Sequence, residues 1–164
     1  MKRLLIIGAG GHGQVIKEVA QDINAYDQID FLDDYNKNAI GKINDLSKFS
    51  TDIDVFCGIG NNEIRQTILT QVKQMGFNIP TLIHPTAYIS PSSKIEVGVV
   101  VEPKAIVNAN TVIKEGTIVS IGAIIDHDAI IEEYVHVNTG SICKAGSKVK
   151  AKTKLEAGEV IKGY

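Results

Sequence analysis

Two histidines, His127 and His136, lie nine residues apart in the C-terminal half, and carboxylates flank the first in Asp126-His127-Asp128. An imidazole titrates near neutral pH, so it can take up a proton and give it back. A carboxylate on one ring nitrogen fixes the tautomer and raises the basicity of the other. The cluster therefore suits proton transfer, with Asp128 or Asp126 as the partner. Plainer roles compete: His127 as a surface turn residue, Asp128 as a corner residue, and His136 as an interface residue without chemistry. No Ser, Cys and His arrangement suggests a covalent nucleophile, so direct transfer is the expected route.

A second cluster lies near the N-terminus. Gly8-x-Gly10-x-x-Gly13 follows an apolar run and precedes helical periodicity, and Asp33 sits 20 residues beyond Gly13 after the next apolar run. Glycines let backbone amides approach a phosphate, a helix N-terminus favours its charge, and an acid at that spacing suits a ribose. A dinucleotide fold needs two mononucleotide halves, and this unit has room for about one and a half. A nucleotide-sugar is therefore favoured over NAD. Asp33-Asp34 and Gly60-Asn61-Asn62 both follow strands, where ligands bind in such sheets. Their plainer readings are a solvated turn and a helix N-cap. For His12, within the Gly-rich turn, a phosphate contact and a helix cap stay open.

The elements behind these residues come from two kinds of pattern. From Ile89 to Ile161 every sixth residue is aliphatic, with Cys143 the single exception. Small residues stand two positions before them. Turn formers dominate three positions after them: Gly98, Asn110, Gly116, Gly122, Asp128, Gly140, Gly146 and Gly158. This period fits neither a helix nor a hairpin and marks a hexapeptide β-solenoid with corners that tolerate positive φ. If three hexads close one triangular coil, outward residues stack by side. One side is apolar throughout (Ile106, Ile124, Ile142, Val160) and another is mixed (Val100, Ile118, His136, Lys154). An unbroken apolar stripe marks a subunit interface, and a prism with one such side suggests a closed three-fold ring. The alternative is that the N-terminal unit covers the stripe.

Residues 1–85 read as a Rossmann-like α/β unit with a parallel sheet, and 86–164 as the all-β solenoid. The apolar run 3–7 ends in a Gly-rich turn, so it is a buried first strand and not a signal peptide. Helices are expected after Gly13 and from about Glu63 to Met75, the latter stopped by Gly76. The 164 residues carry a formal charge of −2, with no basic excess for nucleic acid or an anionic membrane. Aromatics make up 5% and Trp is absent, which argues against a platform for stacking bases or sugar rings. Cys57 and Cys143 are lone cysteines without metal spacing, as expected of buried thiols in a reducing, cytoplasmic compartment.

Several motifs stand together in one order. They are Gly8-Ala9-Gly10-Gly11-His12-Gly13, Phe31-Leu32-Asp33-Asp34, Gly58-Ile59-Gly60-Asn61-Asn62-Glu63-Ile64-Arg65, Leu82-Ile83-His84-Pro85 and Asp126-His127-Asp128. In this the chain resembles the sugar O- or N-acetyltransferases of the sialic-acid and bacillosamine type. Within them it is most like the bacterial UDP-4-amino-sugar N-acetyltransferases. The resemblance implies a left-handed parallel β-helix, a homotrimer with active sites between subunits, and acetyl-CoA as co-substrate with no metal. It implies a UDP-linked amino sugar held by Gly10, Gly11, His12, Asp33, Asp34, Gly60 and Asn61. It makes His127 the general base and Asp128 its acidic partner, where the family often has Glu. His136, Ala145 and Ala157 would lie along the acetyl-CoA. Glycan or polysaccharide biosynthesis would be the setting.

Two departures from the family pattern accompany the resemblance. Asp128 is a carbon shorter than Glu. The corner at Lys152 lacks the usual Gly, and the sequence given stops at Tyr164, before the Gly-Asn-Pro or Gly-Val-Pro loop that helps hold the coenzyme. They frame an alternative reading, a trimeric nucleotide-sugar-binding protein without transferase activity. A third reading, a small NAD-binding module on a solenoid, is the weakest.

Overall fold

The computed structural model describes residues 2–164, which fall into two compact units divided between Pro80 and Thr81.

In the first unit, β1 (Arg3–Ile7), β2 (Gln28–Leu32) and β3 (Asp54–Cys57) form a parallel sheet in the order β2-β1-β3. Leu4 to Ile7 are buried on both faces, which is why β1 reads as a continuous apolar run without alternation. Helix α1 (Gly11–Ile23) follows β1 and buries Gly13, Ile16, Val19 and Ala20, a stripe of helical spacing. Helix α2 (Asn62–Gln74) follows β3; the Asn61 side chain caps it by accepting from the Ile64 N–H at 3.1 Å. The helix ends where Gly76 takes a φ of +83° and the Phe77 N–H returns to the Val72 carbonyl. Between β2 and β3 the chain forms a 3-10 helix, Ile43–Lys48, anchored by buried Leu46.

The second unit is a triangular solenoid of two-residue parallel strands in three sheets. One sheet stacks Tyr88, Ile106, Ile124, Ile142 and Val160 in register; a second stacks Leu82, Val100, Ile118 and His136; the third stacks Lys94, Val112, Ile130 and Lys148. The apolar and mixed sides expected from the hexads are those observed. The sixth-residue aliphatics from Val101 to Val149, together with Leu155, fill one continuous core. The small residues two positions earlier are buried as well. Three of them use a hydroxyl: Thr111, Thr117 and Ser141 donate to the carbonyls of Asp126, Glu132 and Glu156 at 2.9, 3.1 and 2.9 Å, whereas the buried Ser147 Oγ has no such partner.

Leu82–Ile83 falls within the span 1–85 that the sequence assigns to the α/β unit. It pairs instead with Val100–Val101 as the first rung of the solenoid, and Ile83 stands six residues before Ile89. Every sixth corner residue from Gly98 to Gly158 has positive φ, including Lys104, Tyr134 and Lys152, which sequence alone does not mark as turn formers. At those three corners the repeat imposes a conformation that the residue type does not favour. Lys152, at φ +60°, therefore keeps the geometry of the Gly it replaces.

Candidate active site

His127 follows the strand Ile124–Ile125, at the corner where the chain leaves the apolar side. Its backbone is pinned from both sides. Its N–H donates to Asp126 Oδ1 at 2.7 Å, and its carbonyl accepts from the Gly146 N–H one coil later. The imidazole Nδ1 lies 2.7 Å from Asp128 Oδ2, so the shorter carboxylate does reach the ring. Asp128 holds this contact while serving as the left-handed corner, at φ +58°. Asp and Asn tolerate that conformation better than longer residues do, which gives Asp a backbone reason to stand here.

The neighbouring coils hold the carboxylates in turn. Asn108 Nδ2 donates to Asp126 Oδ1 at 3.0 Å, and Asn110 Nδ2 donates to Asp128 Oδ1 at 3.1 Å, each from 18 residues earlier. The bond to Asp128, joined by the charges of Asp126 and Asp128, raises the His127 pKa above its ordinary value. The bond to His127 and then that to Asn110 lower the Asp128 pKa. The carboxylate is thus ionised where the imidazole titrates, and with Nδ1–H donating to it, Nε2 is the basic nitrogen. Among the described residues no group of three or more His, Cys, Asp or Glu side chains is placed to hold a metal ion.

His136 lies in the sheet of Leu82, Val100 and Ile118, a different side from the one His127 leaves. Its Nε2 is 3.0 Å from Ser120 Oγ, a partner that sequence reasoning did not single out. Ser120 directly follows the core residue Val119, one rung from His136, so the period of 18 contains the signal. Ala145 accepts the Tyr164 N–H on its carbonyl, and Ala157 is exposed in the turn before Gly158. Cys57 and Cys143 are buried, and burial pushes their thiols up to about 11 and about 12.

In the α/β unit the Gly-rich turn joins β1 to α1, with Gly10 as the N-cap. A Cβ on Gly13 would stand 2.1 Å from the Gly8 carbonyl oxygen, so only glycine allows this helix to meet its strand. A Cβ added at Gly10, Gly11 or Gly60 would meet nothing within 4 Å. Asp33 is brought to this turn. Its Oδ2 accepts the Ala9 N–H at 2.8 Å, and its Oδ1 accepts from Tyr35 and Asn36 at 2.9 and 2.8 Å. These bonds, the one from Ala9 foremost, hold its pKa below the ordinary value. Asp33 thus clamps the turn, a role that spacing alone does not reveal. Asp34 Oδ1 accepts the Ile43 N–H at 3.0 Å.

His12 lies in the first turn of α1. Burial, and then the nearby Arg65 charge, lower its pKa to about 4, so its imidazole is neutral at physiological pH. Arg65 is itself 1% exposed; its Nη1 donates to the Gly60 carbonyl at 3.0 Å and its Nη2 to Asn62 Oδ1 at 2.7 Å. Sequence reasoning did not single it out. A fully buried cation beneath the Gly60 turn carries no sequence signal beyond its place in the motif.

Comparison with known proteins places this architecture. Residues 3–72 match the family model described as the PglD N-terminal domain. The UDP-N-acetylbacillosamine N-acetyltransferase of Bacillus subtilis is 31% identical over 110 residues, which cover 61% of this chain and 51% of the relative. The match thus spans about half of that relative's length. The acetyltransferase domain of PglB from Neisseria gonorrhoeae, solved in complex with acetyl coenzyme A, superposes with a TM-score of 0.95 at 36% identity. That match covers 97% of this chain and 81% of the domain. PerB from Caulobacter crescentus, solved with CoA and GDP-perosamine, superposes with a TM-score of 0.86 at 27% identity, over 94% of this chain and 77% of PerB. The solenoid is the left-handed parallel β-helix of these proteins, an exception to the usual right-handed crossover. On the PglB match the chain belongs to the hexapeptide-repeat sugar acetyltransferases of the sialic-acid and bacillosamine type.

Proposed function

We propose that the protein is an acetyl-CoA-dependent N-acetyltransferase acting on the amine of a UDP-linked amino sugar. The observation that carries the reading is the His127–Asp128 pair, which leaves a basic Nε2 at the solenoid corner. The relatives add support: one is named for acetyl transfer to a UDP-sugar, one was solved with acetyl coenzyme A, and one with CoA and an amino sugar nucleotide.

The amine nitrogen attacks the thioester carbonyl while His127 Nε2 removes its proton. The tetrahedral intermediate then collapses, the C–S bond breaks, and the thiolate takes up a proton to leave as CoA. Asp128 stabilises the imidazolium formed on the way. Direct transfer is favoured because neither thiol suits a covalent carrier: both cysteines are buried and their pKa values are raised.

Gly10, Gly11, His12, Asp33, Asp34, Gly60 and Asn61 form the UDP-sugar site. The N-terminus of α1 faces the diphosphate. His12, being neutral, offers a hydrogen bond and not a charge, and Asp33 keeps the turn in shape. His136, Ala145 and Ala157 lie along the acetyl-CoA. Because His127 and His136 stand on different sides of one solenoid, the complete site forms between subunits of a homotrimer. The exposed stripe of Ile106, Ile124 and Val160 supplies the contact. No described helix is long and apolar enough to cross a membrane. The free thiols fit a cytoplasmic enzyme of glycan biosynthesis.

Calorimetric titration tests the assignment. Both a UDP-amino sugar and CoA should bind, while NAD should not. Binding of the nucleotide sugar alone would instead support the reading as a binding protein.

A further inference from the structure

The corners of the solenoid stack every 18 residues, and the column through Asp128 runs Asn110, Asp128, Gly146, Tyr164. Tyr164 is two coils from Asp128, yet its hydroxyl donates to Asp128 Oδ2 at 3.3 Å. Gly146 makes this possible. The Tyr164 ring lies across it so closely that a Cβ there would stand 1.9 Å from a ring carbon. The Tyr164 N–H donates to the Ala145 carbonyl at 3.2 Å, which fixes the base of the side chain. The ring also approaches His127, with centroids 6.4 Å apart and planes tilted by 57°.

We propose that Tyr164 is a positioning residue for the transfer reaction, acting through Asp128 to set the orientation and basicity of His127. The inference rests on the acetyltransferase reading above and adds to it a third member of the proton-transfer unit. Asp128 Oδ2 is the atom that accepts from His127 Nδ1, so the phenol and the imidazole share one oxygen. Asn110 holds the other oxygen. A carboxylate oxygen that already accepts from a phenol presents less charge to the imidazole beside it. Tyr164 therefore restrains His127, and without it the ring binds its proton more tightly. The other charged group that acts on His127 is Asp126, which shares its turn; Lys144 and Lys162 stand one and two periods of 18 beyond Asp126 in sequence.

Tyr164→Phe keeps the ring on Gly146 and removes only the hydroxyl. The decisive readout is the His127 imidazole titration followed by NMR, assigned among the four histidines by its loss in His127→Ala. The variant should titrate roughly 0.3–0.5 pH unit above wild type. In an Asp128→Asn background the same change should leave the titration where it was, because the carboxylate that transmits the effect is gone. Superimposable titrations for wild type and Tyr164→Phe would overturn the proposal, as would an equal shift in the Asp128→Asn background. This readout needs no turnover, so failure of the acetyltransferase reading would show separately, as absent CoA release in a protein whose His127 still titrates.

Discussion

His127 Nδ1 and Asp128 Oδ2 are 2.7 Å apart although they belong to adjacent residues of a tight corner. The backbone makes this possible. A left-handed residue directly after the histidine turns its side chain back alongside the ring. Structural corner and acidic partner are therefore one residue, and substitutions can separate the two duties.

Asp128→Asn should preserve the corner, because Asn also tolerates positive φ, but remove the negative charge. His127 is raised by its Asp128 bond, so a base that must be neutral to work gains activity as pH rises through a value above 6.5. In the variant that acid limb should move down towards 6.5, and kcat should fall roughly 10-fold or more. The pH profile of kcat/KM checks both. An unmoved acid limb would remove Asp128 from the proposed mechanism.

Gly13→Ala should destabilise the α/β unit by about 2–4 kcal/mol, since its Cβ would press on the Gly8 carbonyl with no flexible side chain to yield. Gly11→Ala, in the same turn but with open space around it, should cost far less. Thermal unfolding of the two variants makes the comparison.

His12 links stability to acid. Its folded pKa is about 4 and its ordinary value 6.5, so between them the unfolded chain binds more protons. The stability it contributes is fully present above 6.5 and is lost as pH falls towards 4, up to about 3 kcal/mol. The melting temperature of wild type should therefore fall more steeply across that window than that of His12→Asn.

Much of this was legible in the sequence because a solenoid repeats one local rule. The hexads located the core, the apolar and mixed sides and the Gly, Asn and Asp corners, whereas Lys104, Tyr134 and Lys152 take the same corner conformation although residue type conceals it. Contacts between coils were less legible. Ser120 with His136 and Tyr164 with Asp128 are separated by 16 and 36 residues, and they emerge only when the period of 18 is applied to side chains as well as to strands. In the α/β unit, spacing brought Asp33 to the right turn but left its function open. Whether a carboxylate meets a ribose or its own backbone depends on where nearby N–H groups point, and here they point at Asp33. Arg65 was missed for a similar reason, since a buried cation held by carbonyls looks in sequence like any helical arginine.

The apolar stripe carries the proposed assembly. Ile124 is 37% exposed at its centre, between Ile106 and Ile142 in register. Ile124→Lys places a charge on that side without touching the core residue Ile125. In size-exclusion chromatography with light scattering, wild type should elute as a trimer and the variant as a monomer, and the variant's transfer activity should fall with the loss of the proposed shared site. A wild-type monomer that is fully active would contradict a site formed between subunits.

The most direct test of the central claim is CoA release from acetyl-CoA with a UDP-4-amino sugar as acceptor, comparing wild type with His127→Ala. Loss of a general base predicts turnover at least ~10²-fold lower in the variant, with UDP-sugar binding unchanged. Equal turnover in the two proteins, or none in a wild type that binds both ligands, would contradict the account.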